Sequence, residues 1–103
     1  MMVVLLVTYP RSGDFEGWCR SLVERRLAAC VNVVDTKSIY WWENKVNVDS
    51  EVLLIMKTSK HRLQLLKETV VEEHPYKVPE IVEITPADVN KTYLDWVVEA
   101  TTP

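Results

Sequence analysis

The stretch from Cys30 to Thr58, CVNVVDTKSIYWWENKVNVDSEVLLIMKT, restricts the fold more than any other part of the chain. Two runs rich in Val, Ile, Tyr and Trp flank Glu43-Asn44-Lys45. Such residues favour a half-buried pleated surface, and Asn accepts the positive φ of a tight turn. The stretch predicts one long β-hairpin. Trp41 and Trp42 are neighbours near its tip. Side chains alternate along a strand, so their indoles point to opposite faces. Two of the chain's four tryptophans at a hairpin tip require cover on both faces. A second copy of the same chain supplies that cover most cheaply.

The flanking segments place this hairpin in a sheet. Met2 to Thr8 is a continuous apolar run of strand length, the pattern of a strand buried on both faces. Ser12 is the expected N-cap of a first helix of about four turns, with Asp14 and Glu16 in its first turn. Phe15, Trp18, Cys19, Leu22, Val23 and Leu27 form its apolar stripe. Beyond the hairpin, Ser59 opens a second helix carrying Leu63, Leu66 and Val70. His74-Pro75 ends it, because the residue before proline is pushed out of the α region. A strand is expected from Glu80 to Thr85. Asp88 or Asn90 then opens a short third helix with Tyr93, Leu94, Val97 and Val98.

The order β-α-β-β-α-β-α predicts an α+β, ferredoxin-like βαββαβ domain with an extra C-terminal helix. It has a four-stranded antiparallel sheet and a long β2-β3 hairpin. At 103 residues, 48% of them apolar, the chain reads as a single domain over residues 1–103. Right-handed crossovers put both long helices on one sheet face. The first and third strands are apolar on both faces, so the other face is expected to meet another subunit. A closed ring of three satisfies this need.

Charge and composition narrow the function. A net charge of −3 argues against nucleic acid and anionic membrane surfaces as partners. No apolar run reaches membrane-spanning length. MMVVLLVTYP has neither a basic start nor a small-residue cleavage site, so it reads as a first strand rather than a signal peptide. Cys19 and Cys30 are too few for a disulfide framework, and a reduced, cytoplasmic setting is expected.

Four blocks carry a resemblance: RLAACVNVV (Arg26 to Val34), SIYWWENK (Ser38 to Lys45), EVLLIMKT (Glu51 to Thr58) and HPYKVPEI (His74 to Ile81). In content, order and spacing the chain resembles the CutA family of divalent-ion tolerance proteins, over essentially its whole length. The resemblance implies a cytoplasmic homotrimer of ferredoxin-like subunits, similar to PII-type signalling trimers, with a role in tolerance to copper and other divalent ions. It implies no catalytic activity. Two departures stand out: Asn44 occupies a tip position where the family commonly has Gly, and the first strand lacks the Cys that some bacterial members carry there.

Among the residues themselves, the candidate soft metal donors are Cys19, Cys30, His61 and His74. None has zinc-finger spacing. Cys30 and His74, brought together by the fold or across a subunit boundary, suit copper or another divalent cation, with no metal needed for folding. The plainer reading makes Cys30 a small core residue and His74 a helix terminator. Glu51, Lys57, Tyr76 and Glu80 are expected at an intersubunit cleft, where Glu51 or Glu80 pairs Lys57. They form either a small-ligand or ion site or an ion pair that fixes assembly register. Tyr40, Trp41 and Trp42 read as trimer-interface packing. No Gly-rich phosphate loop or third orienting residue accompanies a Cys-His pair, so an enzyme is not expected. The alternatives are a structural trimer that presents a protein partner with a surface, its metal binding incidental, and single-stranded nucleic-acid binding by the sheet.

Overall fold

The computed structural model describes all residues, Met1–Pro103. Its elements are β1 (Met2–Pro10), α1 (Phe15–Glu24), β2 (Cys30–Trp42), β3 (Lys45–Ser59), α2 (Lys60–Glu73), β4 (Val82–Ile84) and α3 (Lys91–Ala100). The strands form one antiparallel sheet in the order β2-β3-β1-β4. This is the expected ferredoxin-like arrangement with a third, C-terminal helix.

Period-two alternation sorts the sheet into two faces. Leu5 and Val7 on β1 stand opposite Met56 and Leu54 on β3, and Val52 lies one step further on. These side chains are fully buried and pack with Cys19 and Leu22 of α1 and Leu66 and Val70 of α2. Both long helices therefore cover this one face. On the reverse face α3 covers only one end, where Val97 packs with Met2 and Ala29, and with Val4 and Leu94 at the margin. Further along, Leu53 and Ile55 are half-buried, while Val34, Val82 and Ile84 are 44–45% exposed. The open face is thus a stripe of branched aliphatic side chains without a cover from its own chain.

The hairpin outruns the sheet. β1 pairs with β3 only from Glu51 to Ser59, whereas β2 pairs with β3 from Cys30↔Lys57 to Trp42↔Lys45. Residues 37–50 form a two-stranded arm. A strand of 13 residues spans about 43 Å, which accounts for the 45 Å long axis of the molecule. At the tip Glu43 and Asn44 take φ of 52° and 61°, the left-handed pair of a two-residue turn. Lys45 already belongs to β3, so the turn is one residue shorter than the sequence suggests.

Three local details correct the sequence reading. Asp14, not Ser12, caps α1: its Oδ1 accepts from the Gly17 amide at 3.0 Å. A Cβ on Gly17 would stand 2.3 Å from the other Asp14 oxygen, so this cap needs glycine there. α1 is 10 residues rather than four turns. It stops because Arg26 turns left-handed (φ 57°), with Arg26 N–H bonded to the Val23 carbonyl and Leu27 N–H to the Leu22 carbonyl. That is a Schellman closure with Arg in the place usually held by Gly. β4 is shorter than expected, since only Val82–Ile84 pair with β1.

Candidate functional site

β4 pairs with β1 only at Val4, Leu5 and Leu6. Thr8 lies beyond the last of these pairs, and its carbonyl would lack a partner at that edge. His74, the residue after α2, supplies one: its Nε2 lies 2.7 Å from the Thr8 oxygen. Its Nδ1 accepts from the Tyr76 amide at 3.0 Å. The ring is buried among Tyr9, Trp18 and Tyr76, with centroids 5.2, 5.8 and 4.9 Å away. Burial holds its pKa below the ordinary histidine value, against the opposing pull of the Thr8 hydrogen bond and the Glu51 charge.

Tyr76 completes the link. Its hydroxyl donates to Glu51 Oε2 at 2.7 Å. Glu51 sits on the open face at the root of the arm and is only 7% exposed. Burial, followed by the bond to Glu51, raises the Tyr76 pKa. One step outward along β3, Asp49 accepts from the Tyr40 hydroxyl. Two tyrosine–carboxylate pairs therefore stand side by side where the arm leaves the sheet.

The remaining expected residues fall into separate places. Lys57 does not pair with Glu51 or Glu80; its ammonium donates to the Asn32 side-chain oxygen. Asn32 lies diagonally across the ladder on the same face, within reach of a long side chain. Glu80 is exposed and takes no part in either tyrosine–carboxylate pair. Cys30 is half-buried directly opposite Lys57, with its sulfur 3.9 Å from the same Asn32 oxygen. The register aligns Cys30 with Lys57 and Val4, four residues along β1 from Thr8, a separation of about 13 Å. Within one chain, then, Cys30 and His74 do not meet, and both ring nitrogens of His74 are already engaged. No three His, Cys, Asp or Glu side chains gather into a metal-binding group in the single chain. Cys19 is buried in the core, which pushes its thiol up to about 11.

Tyr40, Trp41 and Trp42 are 39%, 68% and 49% exposed, as expected of residues with no cover from their own chain. On one face of the arm Trp41 stands opposite Val46 and Ile39 opposite Val48, and all four are exposed. The other face carries Tyr40 and Trp42 beside Asn47 and Asp49. Asn32, Asp49, Thr8, Tyr9 and Trp18 escaped the sequence reading as parts of these clusters. Ladder register, once a turn at Glu43-Asn44 is set, is the signal that would have found Asn32 and Asp49.

These features define a class: small ferredoxin-like sheet proteins with a β2–β3 arm overhanging an open sheet face. The sequence model of the CutA1 divalent ion tolerance protein family matches residues 3–100, and the chain belongs to that family. A "Divalent-cation tolerance protein CutA" from Thermus thermophilus is 47% identical over 102 residues, 98% of this chain and 99% of that protein. A solved CutA1 structure from Thermus thermophilus superposes with a TM-score of 0.91, covering 99% of this chain and 100% of that one. The "PII-like protein CutA" of Nostoc superposes with a TM-score of 0.92 at 35% identity, covering 97% of each chain. A CutA described as periplasmic, from Archaeoglobus fulgidus, superposes at 0.93 with 32% identity, covering 99% of this chain and 100% of that one.

Proposed function

We propose that this chain is a homotrimeric, non-catalytic divalent-ion-binding protein of the cytoplasm that serves copper tolerance and resembles PII-type signalling trimers. The observation that carries the proposal is the open face of the sheet continued into an arm that is apolar on one side and aromatic on the other. Exposed apolar surface of this extent is the mark of an interaction site. The family membership and the Nostoc protein's PII-like description support the kind of assembly. Three copies let each arm pack between its two neighbours, so that both of its sides, Trp41 on one and Tyr40 and Trp42 on the other, are covered. Glu51, Lys57, Tyr76 and Glu80 then line a cleft between subunits.

Cys30 is the soft donor of the proposed ion site. Its thiol is half-buried but not sealed in the core, and thiolate suits copper. The other ligands come from the assembly rather than from His74, whose ring is used up within its own chain. Two reduced cysteines, neither in a disulfide, support the cytoplasmic setting.

A second reading, a structural trimer that presents its surface to a protein partner, is favoured by the lack of any three-ligand group in the single chain. Native mass spectrometry with and without one equivalent of copper per chain separates the two. The first reading expects three times the 12.0 kDa chain, about 36 kDa, taking up metal in steps to three and losing those steps in Cys30→Ser. The same mass with no stepwise uptake supports the scaffold. A 12.0 kDa species at micromolar concentration overturns both.

A further inference from the structure

A neutral imidazole has one donor and one acceptor nitrogen. The Thr8 carbonyl only accepts, so the Nε2 facing it carries the hydrogen. The Tyr76 amide only donates, so the Nδ1 facing it is bare. Two backbone groups thus fix one tautomer of His74, and they fit the neutral ring alone. An imidazolium has donors at both nitrogens, and an Nδ1–H would point at the Tyr76 N–H. One of the two bonds must then break. Tyr76 is the freer partner, since Thr8 is held in the sheet.

We propose that His74 is the positioning residue of the Tyr76–Glu51 pair: neutral, it holds the Tyr76 backbone so that the phenol donates to Glu51, and protonated, it lets Tyr76 go. Every element packed on the ring bears on its charge. From β1 come the Thr8 carbonyl and the Tyr9 phenol ring, and from α1 the Trp18 indole. From β3 comes the Glu51 carboxylate, which favours the protonated form. On its own helix the neighbouring Glu73 is already bound to Arg25 and to the Trp18 indole N–H. The apolar enclosure opposes protonation and Glu51 promotes it, so the latch answers to acid.

The consequence falls on Glu51. With the phenol withdrawn, a nearly buried carboxylate is left without its donor and takes a cation or water instead. Mild acid therefore frees the Glu51 carboxylate for another partner. The inference uses contacts within one chain and stands apart from the assembly and the ion proposed above.

The test is an NMR titration of the protein carrying ring-¹⁵N histidine and a labelled backbone. His61→Gln assigns the His74 signals, because the chain has two histidines. At neutral pH, Nε2 should carry the hydrogen and Nδ1 should show the shift of a bare, hydrogen-bonded nitrogen. His74 should titrate below 6.5, and the Tyr76 amide should move with the same midpoint. The Glu51 carboxyl carbon should follow in the unaltered chain and lose that step in Tyr76→Phe. A histidine that only closes the sheet edge would leave the Glu51 carboxyl unmoved through its titration, or moved equally in Tyr76→Phe. That result, or an Nδ1–H tautomer at neutral pH, overturns the proposal.

Discussion

The hydroxyls of Ser59 and Thr101 lie 2.7 Å apart, both buried, and 42 positions separate them along the chain. Thr101 donates its own hydrogen back to the Val97 carbonyl at 2.8 Å, so Ser59 is the donor between them. The bond bolts the end of β3 to the end of α3. It also explains why Ser59 stands at the N-cap of α2 without capping it: its hydroxyl is spent elsewhere. Thr101→Val removes the acceptor while keeping the volume and strands a buried donor. It should cost about 1–3 kcal/mol in denaturant unfolding. Adding Ser59→Ala should cost less than the sum of the two single changes, because both act on one bond.

The tip turn leaves stability unused. Glu43 holds a left-handed φ of 52° without the local hydrogen bonding that makes such angles cheap for Asn. Replacing Glu43-Asn44 by Asn-Gly, the favoured pair for this turn, should stabilise the hairpin by about 1 kcal/mol. The gain should appear as a higher denaturation midpoint with an unchanged slope.

Acid should weaken the fold through His74. The buried ring is held below 6.5, whereas the unfolded chain binds its proton near 6.5. Above that value the contribution is fully present. As pH falls below it toward the folded value, the unfolded state binds more protons and stability declines. Glu73, held below 4.5 by its hydrogen bond to Arg25, adds its own loss only at lower pH. Unfolding midpoints measured from pH 7.5 to 5 should slope downward in the unaltered chain, and His74→Gln should flatten that slope.

Trp42→Ala should act on assembly more than on the subunit. The indole is half exposed in the chain alone, so its loss costs one subunit little. Burying it against a neighbour is worth on the order of 1.5–3 kcal/mol. Sedimentation across a concentration series should show the variant dissociating at higher concentration than the parent. A trimer of undiminished strength would mean that Trp42 does not anchor the arm.

Periodicity made the architecture legible. Leu63, Leu66 and Val70, three and four residues apart, placed the inner face of α2, and the doubly apolar runs at Met2 and Val52 placed the central strands. What escaped was decided by competition among local groups. Ser12 and Asp14 are both good caps, and the missing Cβ of Gly17 settled the choice for Asp14. Lys57 had carboxylates of the right type in the sequence, but the ladder set Asn32 nearer. His74 read as a metal donor or a helix stop, because a carbonyl left over by a three-residue strand carries no mark in the sequence. Tyr40, Trp41 and Trp42 were legible as hairpin-tip residues, and all three are exposed in the single chain.

The ladder from Cys30↔Lys57 to Trp42↔Lys45 runs through thirteen consecutive pairs with no bulge. Its length is therefore quantised. Adding or deleting a single residue in one strand would exchange inside for outside at every position beyond the change, sending Trp41 to the side of Asn47 and Asp49. Among descendants of this chain, the reach of the arm can grow or shrink only by matched changes in both strands. A reshaped tip would register as paired insertions flanking an intact two-residue turn.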